Sequence, residues 1–423
     1  MPDAHVDLEA IQCHEFGSGA TLGGTYMRIG IVGCGYTADF YVPSVQRYGQ
    51  LQIAGATDRD DERAAIFCKH HSLHLYPTLE SMLNDASIEM IVNLTNSISH
   101  YEITRASLEA GKHVYSEKPL GMQFPQAREL VDLARAKGLY LSSAPCSLLG
   151  ETAQTLWRAL RANDIGAVRL VYAELDDGPF HLAGPQEWKS PSGAPYDYRE
   201  EFSAGVTVEH AAYYLSWFAA FFGPAKTITS FSSCVWPDRQ LAPGLSLKIK
   251  TPDFTVACVT FESGVVVRLT CGLVAPYNHV LRIVGETGVL RVDESWNFSA
   301  TVYRDQYASL RYRAERYPIT KTFPTIARWL GPRPRTYPAV KRVNWKKRNS
   351  RYRMDYARGI WDLALAITQK RSPRIPADFC LHVTELALAI QNATETPYQV
   401  KTTFQPLHPG TDAELNEYLS IRW

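Results

Sequence analysis

Ile29-Gly30-Ile31-Val32-Gly33-Cys34-Gly35-Tyr36-Thr37-Ala38 reads as a strand, a glycine turn and the first residues of a helix. Arg28 to Val32 is a short apolar strand, and Thr37 to Tyr48 continues as the helix. A glycine-rich turn alone is a weak signal. With a strand before it, a helix after it and an acid about twenty residues on, at Asp58, it becomes a dinucleotide-binding fingerprint. Gly33 allows the tight turn, Gly35 lets the backbone approach a pyrophosphate, and small Ala38 lets helix and strand pack closely. Tyr36 and Thr37 complete the turn, where the N–H groups and dipole of the helix start favour an anion. The competing reading, a βα turn that is merely rich in glycine, accounts for neither the spacing nor Asp58.

Asp58 ends a second strand, Leu51 to Thr57, and is placed to accept hydrogen bonds from adenosine ribose hydroxyls, which favours NAD. Arg59 next to it could stack on adenine or pair a 2′-phosphate, which keeps NADP open. Further along, Asp61 to His70 and His100 to Ala110 read as helices, and Ile88 to Leu94 and His113 to Ser116 as strands. Strands alternating with helices argue for a parallel sheet covered on both faces, an α/β domain over residues 27–147.

The run Asn93-Leu94-Thr95-Asn96, then His100, then Ala110-Gly111-Lys112-His113-Val114 leading into Glu117-Lys118-Pro119-Leu120, resembles the glucose-fructose oxidoreductase, inositol dehydrogenase and MocA (Gfo/Idh/MocA) family. The resemblance runs from about Arg28 to near Asn392. It implies that Thr95, Asn96, His100 and Glu117 belong to the cofactor site. It also implies that Lys118 lies beside the nicotinamide and the substrate hydroxyl, often ahead of a cis proline. Without that motif, Lys118 would read as a solvated lysine at a strand end.

After Leu141 the pattern changes: a helix over Glu151 to Asn163, then alternating apolar strands. These are Val168 to Leu175, Ala225 to Val235, Leu245 to Lys250, Phe254 to Phe261, Val265 to Leu273 and Leu281 to Val284. Such a succession after a βαβ unit predicts an α+β domain, residues 148–423, with an open, largely antiparallel sheet. In the family this domain carries the substrate site on one face and often an oligomer interface on the other, which makes a homodimer or homotetramer the expected assembly.

Within it, Gly205 to Tyr214 matches the family's glycine-led helix, where an aspartate is followed four residues later by a histidine. Here Glu209 and Tyr213 stand at those positions. Four residues put two side chains on one helical face. The tyrosine resembles the branch of glucose-fructose oxidoreductase and dimeric dihydrodiol dehydrogenase, in which a phenol does the acid–base work. A Lys118 cation nearby would lower the Tyr213 pKa, and Glu209 would orient substrate or lysine. The bland alternative makes Tyr213, with Tyr214, Trp217 and Phe218, one apolar face of a buried helix. His210 lies on a neighbouring face, as a rim or structural residue that could take a substitute role. Trp188, Tyr196 and Arg199, in the turn-rich stretch before it, would suit a sugar ring by stacking and hydrogen bonding.

Asp305 to Arg353 is rich in Arg, Lys, Tyr, Trp and Pro, ends in Lys341-Arg342-Val343-Asn344-Trp345-Lys346-Lys347-Arg348, and departs from the family core. Basic residues among aromatics could touch nucleic acid, anionic lipid or a phosphate. The net charge of +1 over 423 residues favours the plainer reading, a solvated insertion, and no nucleic-acid partner is expected. Tyr356 to Ile367 and Phe379 to Thr394 read as two closing amphipathic helices.

The eight cysteines are scattered with no C-x-x-C pair, so neither a metal site nor a disulfide scaffold is indicated and a reducing cytoplasm is expected. Residues 1–26 carry Asp3, Asp7, Glu9 and Glu15 and no basic start followed by an apolar run; they read as a flexible extension, not a signal peptide. No run approaches the ~20 apolar residues of a membrane span. The expectation is an NAD(P)-dependent oxidoreductase acting on a sugar, sugar derivative or polyol. A non-catalytic dinucleotide or sugar sensor on the same fold is the competing class, since fold alone does not decide function.

Overall fold

The computed structural model describes residues 27–308, 335–337 and 354–411, with four isolated positions between 318 and 325. The extension at 1–26 and most of the basic segment 305–353 lie outside the described residues.

Strands β1 (Met27–Val32), β2 (Leu51–Thr57), β3 (Met90–Asn93), β4 (His113–Ser116) and β5 (Leu141–Ser143) form a parallel sheet in the order β2-β1-β3-β4-β5. Helices α1 (Ala38–Val45), α2 (Asp61–His71), α3 (Leu79–Leu83), α4 (His100–Glu109) and α5 (Phe124–Ala136) connect or flank them. Ile29, Ile31, Met90 and Ile91 are fully buried, as strands covered on both faces must be. The strand order reverses between β1 and β3, and an open α/β sheet has its binding crevice at that point, outside the carboxyl ends of the strands.

The second sheet has nine strands: β6 (Val168–Asp176), β7 (Ala225–Ser233), β10 (Phe254–Phe261), β11 (Val266–Gly272), β12 (Leu281–Gly285), β13 (Gly288–Val292), β14 (Val302–Gln306), β15 (Arg335–Thr336) and β16 (Tyr398–Gln399). Their order is β15-β14-β13-β12-β6-β11-β10-β7-β16, and every neighbouring pair is antiparallel except β6 with β11. The stretch from Leu245, which alternation alone assigns to this sheet, instead pairs as β9 (Leu245–Lys248) with β8 (Asp238–Ala242) in a separate hairpin. Val171, Ala173, Leu175, Ala257, Val259, Val267 and Leu269 bury one face of the large sheet in the same core as α6 (Glu151–Arg161) and α8 (Ala212–Phe222). The alternate positions, such as Tyr172 and Phe231, stay exposed. Alternation of this kind is what a sheet packed on one side requires.

Helix α9 (Arg358–Gln369) does not join this second core. Its Ile360, Trp361, Leu363 and Ala364 pack with Ile29, Tyr41, Val42 and Tyr48 of the first domain. Asp355, just ahead of it, accepts hydrogen bonds from Ser44 at 2.8 Å and Tyr48 at 2.5 Å. Arg358, 1% exposed, pairs with Asp355 at 3.3 Å and Glu151 at 3.1 Å and donates to the Leu149 carbonyl. Removing one partner of such a buried cluster costs about 3–5 kcal/mol. Helix α10 (Ala377–Gln391) covers β7 and α8 in the second domain.

Candidate active site

A cleft of about 530 Å³ opens at the switch point between β1 and β3 and reaches into the junction of the two domains. Gly33, Gly35, Tyr36, Thr37, Asp58, Arg59, Thr95, Asn96, His100, Glu117 and Lys118 line it from the first domain. Tyr196, Glu200, Glu201 and Glu209 line it from the second. Ala38 is fully buried behind the turn, where it lets α1 lie close to β1.

The outer half fits a dinucleotide. Gly33 has φ +99°, and a Cβ there would sit 2.6 Å from the Leu94 carbonyl, so the turn admits no side chain. Above Gly35 the space is open, and a Cβ would project into the cleft where a pyrophosphate needs the backbone. The Asp58 carboxylate accepts from the Cys34 N–H at 2.7 Å and the Asp60 N–H at 3.0 Å, which pins it to the turn. Each of its oxygens keeps a second lone pair, with which it would hold ribose hydroxyls. Thr95 is set by bonds to Asn93, and Asn96 accepts from the Ser99 N–H. Buried His100 faces the carbonyls of Pro119 at 2.8 Å and Thr95 at 2.9 Å, bracing the loop after β3 against the turn after β4; burial pulls its pKa down.

At the inner end Glu117 accepts from the Tyr41 hydroxyl and from the Lys118 N–H, so its carboxylate is held by protein. The Lys118–Pro119 bond is cis. The Lys118 ammonium lies 2.5 Å from Glu209. Burial opposes its charge, but Glu209, Glu117 and Glu201 together outweigh that and hold its pKa above the ordinary lysine value. Glu209 is pushed up to about 7 by burial and by the Glu201 charge, against the pull of Lys118.

The expected glycine-led helix is in two parts, and this alters the reading of Tyr213. Helix α7 (Tyr198–Ala204) stops at Gly205, a π-helical turn spans Thr207–Ala211, and α8 follows. Such turns are frequent at functional sites. They also break the α-helical register on which four-residue spacing relies. Glu209, in the turn, lines the cleft; Tyr213, in α8, is not among the lining residues, and its ring packs 4.2 Å from that of Trp296. The expected lowering of the Tyr213 pKa is reversed. Burial first, and then the charges of Glu117 and Glu209 within reach, raise it well above the ordinary phenol value.

Of the aromatic and basic residues proposed for a sugar, only Tyr196 lines the cleft; its hydroxyl donates to Glu201 at 2.6 Å and its ring meets that of Tyr36 across the domain junction. Trp188 packs between Phe180 and Tyr196 behind it, and Arg199 is exposed on α7 over the Tyr198 ring. His210 is no rim residue: its two ring nitrogens face Asp177 and Glu201, the latter at 2.6 Å. Sequence reading passed over Glu200, whose carboxylate accepts from the Ser97 N–H and hydroxyl at 2.6 and 2.8 Å and ties α7 to the loop after β3. It passed over Glu201 as a site residue too. Away from the cleft, Asp39, His70 and His71 place ligand-type atoms within 4.8 Å of one another. The Asp39 carboxylate there is already engaged by His71, Ser190 and Ser192.

Residues 27–144 match the oxidoreductase family with an NAD-binding Rossmann fold, and residues 153–291 match the GFO/IDH/MocA C-terminal domain. The trans-1,2-dihydrobenzene-1,2-diol dehydrogenase of Bos taurus is 24% identical over 285 residues, 66% of this chain and 78% of that protein. The fold is shared with the WlbA dehydrogenase from Bordetella pertussis, solved with NADH and UDP-GlcNAcA (TM-score 0.66, 16% identity, 90% of this chain and 99% of that one). It is shared as well with KijD10, a 3-ketoreductase from Actinomadura kijaniata solved with NADP (TM-score 0.65, 18% identity, 87% of this chain and 98% of that one). Among the described residues no helix is long and apolar enough to cross a membrane. With the glycine turn, Asp58 and the Glu117-Lys118-Pro119 corner in one cleft, and both domains matched, the chain belongs to the Gfo/Idh/MocA family of NAD(P)-dependent oxidoreductases.

Proposed function

We propose that this protein interconverts a carbinol and a carbonyl on a sugar, a sugar derivative or a polyol. The observation that carries the reading is the Lys118 ammonium, held at 2.5 Å by Glu209 at the inner end of the dinucleotide cleft. A bound nicotinamide supplies the hydride acceptor or donor. Lys118 donates a hydrogen bond to the substrate oxygen and stabilises the negative charge that develops there. In oxidation the hydroxyl proton passes to Glu209, which lines the cleft, and the Tyr213 hydroxyl, set behind the lining, would join the transfer once its ring turns toward the substrate oxygen; reduction runs the same transfers backwards. Glu209, at about 7, is suited to exchanging a proton near neutrality. Tyr213, held protonated, is suited to donating to a carbonyl oxygen. Tyr196 offers an aromatic wall to the sugar ring, with Trp188 behind it.

The relatives' names support carbinol and carbonyl chemistry: one is a diol dehydrogenase, another a 3-ketoreductase. NAD is our first choice of cofactor because of Asp58, with NADP admitted by Arg59 at the same wall. The outer face of the nine-stranded sheet, where Phe231 is 61% exposed, is the surface we assign to a homodimer or homotetramer, which light scattering would test.

The test of function is absorbance in the reduced-nicotinamide band during a screen of sugars, sugar acids and nucleotide sugars. Turnover that disappears in Lys118→Ala supports the assignment, and turnover unchanged in Lys118→Ala and Tyr213→Phe ends it. Tight cofactor binding without turnover across the screen favours the sensor.

A further inference from the structure

Behind the cleft runs a chain of alternating acids and imidazoles drawn from five segments. Glu201 on α7 accepts from His210 Nε2 in the π-helical turn; His210 Nδ1 donates to Asp177, the residue after β6. The other Asp177 oxygen faces His279 Nε2 at 2.9 Å, ahead of β12, and the Trp296 indole N–H, in the loop after β13, is shared between that oxygen at 3.2 Å and His279 Nε2 at 3.0 Å. His279 Nδ1 then faces Glu294 at 3.2 Å. His279 is 1% exposed, and His210 and Asp177 are close to buried. His210 lies between two carboxylates and so donates from both nitrogens, as an imidazolium does, while His279 faces Asp177 and Glu294 together with the Trp296 N–H and the Tyr277 hydroxyl.

The chain touches the proposed chemistry at two points. Glu201 lines the cleft and lies within electrostatic reach of Lys118 and Glu209. Trp296, whose N–H is shared between Asp177 and His279, lays its ring 4.2 Å from that of Tyr213. Asp177 is the residue common to both branches. We propose that Asp177 is a positioning residue of the active site, which through His210 orients Glu201 beside Lys118 and through the Trp296 indole fixes Tyr213. It lines no part of the cleft and serves only through its partners. The proposal rests on the proton-handling roles given above to Lys118, Glu209 and Tyr213.

Buried polar networks of this kind hold geometry only when every member is satisfied. Losing the Asp177 charge leaves His210 with one carboxylate instead of two, and its pKa, now raised to about 10, falls. Other titratable groups feel the cluster: Asp176 on β6, Cys271 on β11, Tyr277, Tyr214 on α8, and Tyr196, Lys118 and Glu209 on the cleft side. The same carboxylate-to-amide change releases the Trp296 N–H from its charged acceptor.

The experiment compares wild type with Asp177→Asn, Asp177→Glu and Trp296→Phe in the full chain. A misplaced reacting group typically lowers turnover by about 100-fold. Asp177→Asn should show a loss of that order in kcat, with KM and cofactor affinity, read by nicotinamide fluorescence, unchanged. In alcohol oxidation the fall in kcat as His210 loses its proton, near pH 10 in the wild type, should move to lower pH, and the low-field ring N–H resonances of His210 and His279 should vanish from 15N-histidine spectra. Asp177→Glu should restore part of kcat and of those resonances. Wild-type kcat and pH profile in Asp177→Asn overturn the proposal, as does a joint loss of kcat and cofactor affinity. Should Asp177→Asn fail to fold, Trp296→Phe decides: it removes the N–H together with the five-membered ring and leaves a smaller aromatic ring beside Tyr213. Lowered kcat then supports the proposal and unchanged kcat ends it. Turnover surviving in Lys118→Ala would remove the functional reading itself, a result separable from any seen at Asp177.

Discussion

Lys118 and Glu209, ninety-one positions apart in the chain, meet at 2.5 Å across the junction of the two domains. Neither domain alone contains the pair. Lys118→Ala should abolish turnover, a loss of about 1,000-fold or more if the lysine is the main stabiliser of charge on the substrate oxygen. Cofactor affinity should survive, since the turn and Asp58 are untouched. Stopped-flow absorbance and a fluorescence titration of the same preparation separate the two quantities.

Tyr213→Phe keeps the ring on Trp296 and removes the hydroxyl. As a general acid the phenol contributes about 100- to 10,000-fold. The drop should be seen in kcat for carbonyl reduction, with KM little altered. Because the phenol is held well above its ordinary value, the wild-type profile should show no limb from its ionisation below the usual tyrosine range. A rate equal to wild type removes Tyr213 from the mechanism.

Glu209 gives the acid side its sign. Its carboxyl titrates at about 7, and alcohol oxidation needs it ionised. Oxidation rate should therefore fall as pH drops through about 7, while carbonyl reduction, which needs the protonated form, should fall as pH rises through it. Opposed limbs at one pH in the two directions are the expected record, and Glu209→Gln should erase both.

Stability carries the opposite kind of signature at His210. Its folded pKa, about 10, lies above the unfolded value, so the folded chain binds that proton more tightly. The stabilisation is complete below the unfolded value and is lost as pH rises through about 10. Asp177 is lowered, so its contribution is present above the unfolded carboxylate value and lost as pH falls. Thermal melts from neutral pH to pH 10 should decline more steeply for wild type than for His210→Gln.

Gly33→Ala places a Cβ 2.6 Å from the Leu94 carbonyl at φ +99°. Strained positions of this kind cost about 1–3 kcal/mol, and the turn must shift to relieve the clash. Lower melting temperature together with weaker cofactor binding is the expected pair of results. An unchanged nicotinamide titration would show that the turn does not hold the cofactor.

How much of this could be seen in advance differs along the chain. The glycine turn, Asp58 and the Glu117-Lys118-Pro119 corner are local features, where a few adjacent residues dictate backbone and chemistry together. They led correctly to the first domain and its cofactor class. Alternation also announced the second sheet, but pairing partners are not written in alternation: β9 left for its own hairpin and β6 paired in parallel with β11. The direction of the Tyr213 pKa shift is not written in the sequence, because burial, its main cause, and the carboxylates around it are set by the fold. Asp177, His279 and Glu294 were invisible as a set, since each is an ordinary residue in its own segment and only the fold brings them together.

The docking of α9 on the first domain bears on how the chain is made. Ile29, Tyr41 and Val42 are synthesised early, yet the face they bury is completed by Ile360, Trp361 and Leu363, more than three hundred residues later. Domains generally fold as units during synthesis, the amino-terminal one first. Here the apolar flank of the dinucleotide domain stays uncovered until the chain has been extended past Leu363. Any nascent chain arrested before Asp355 carries that flank bare, a natural binding surface for chaperones.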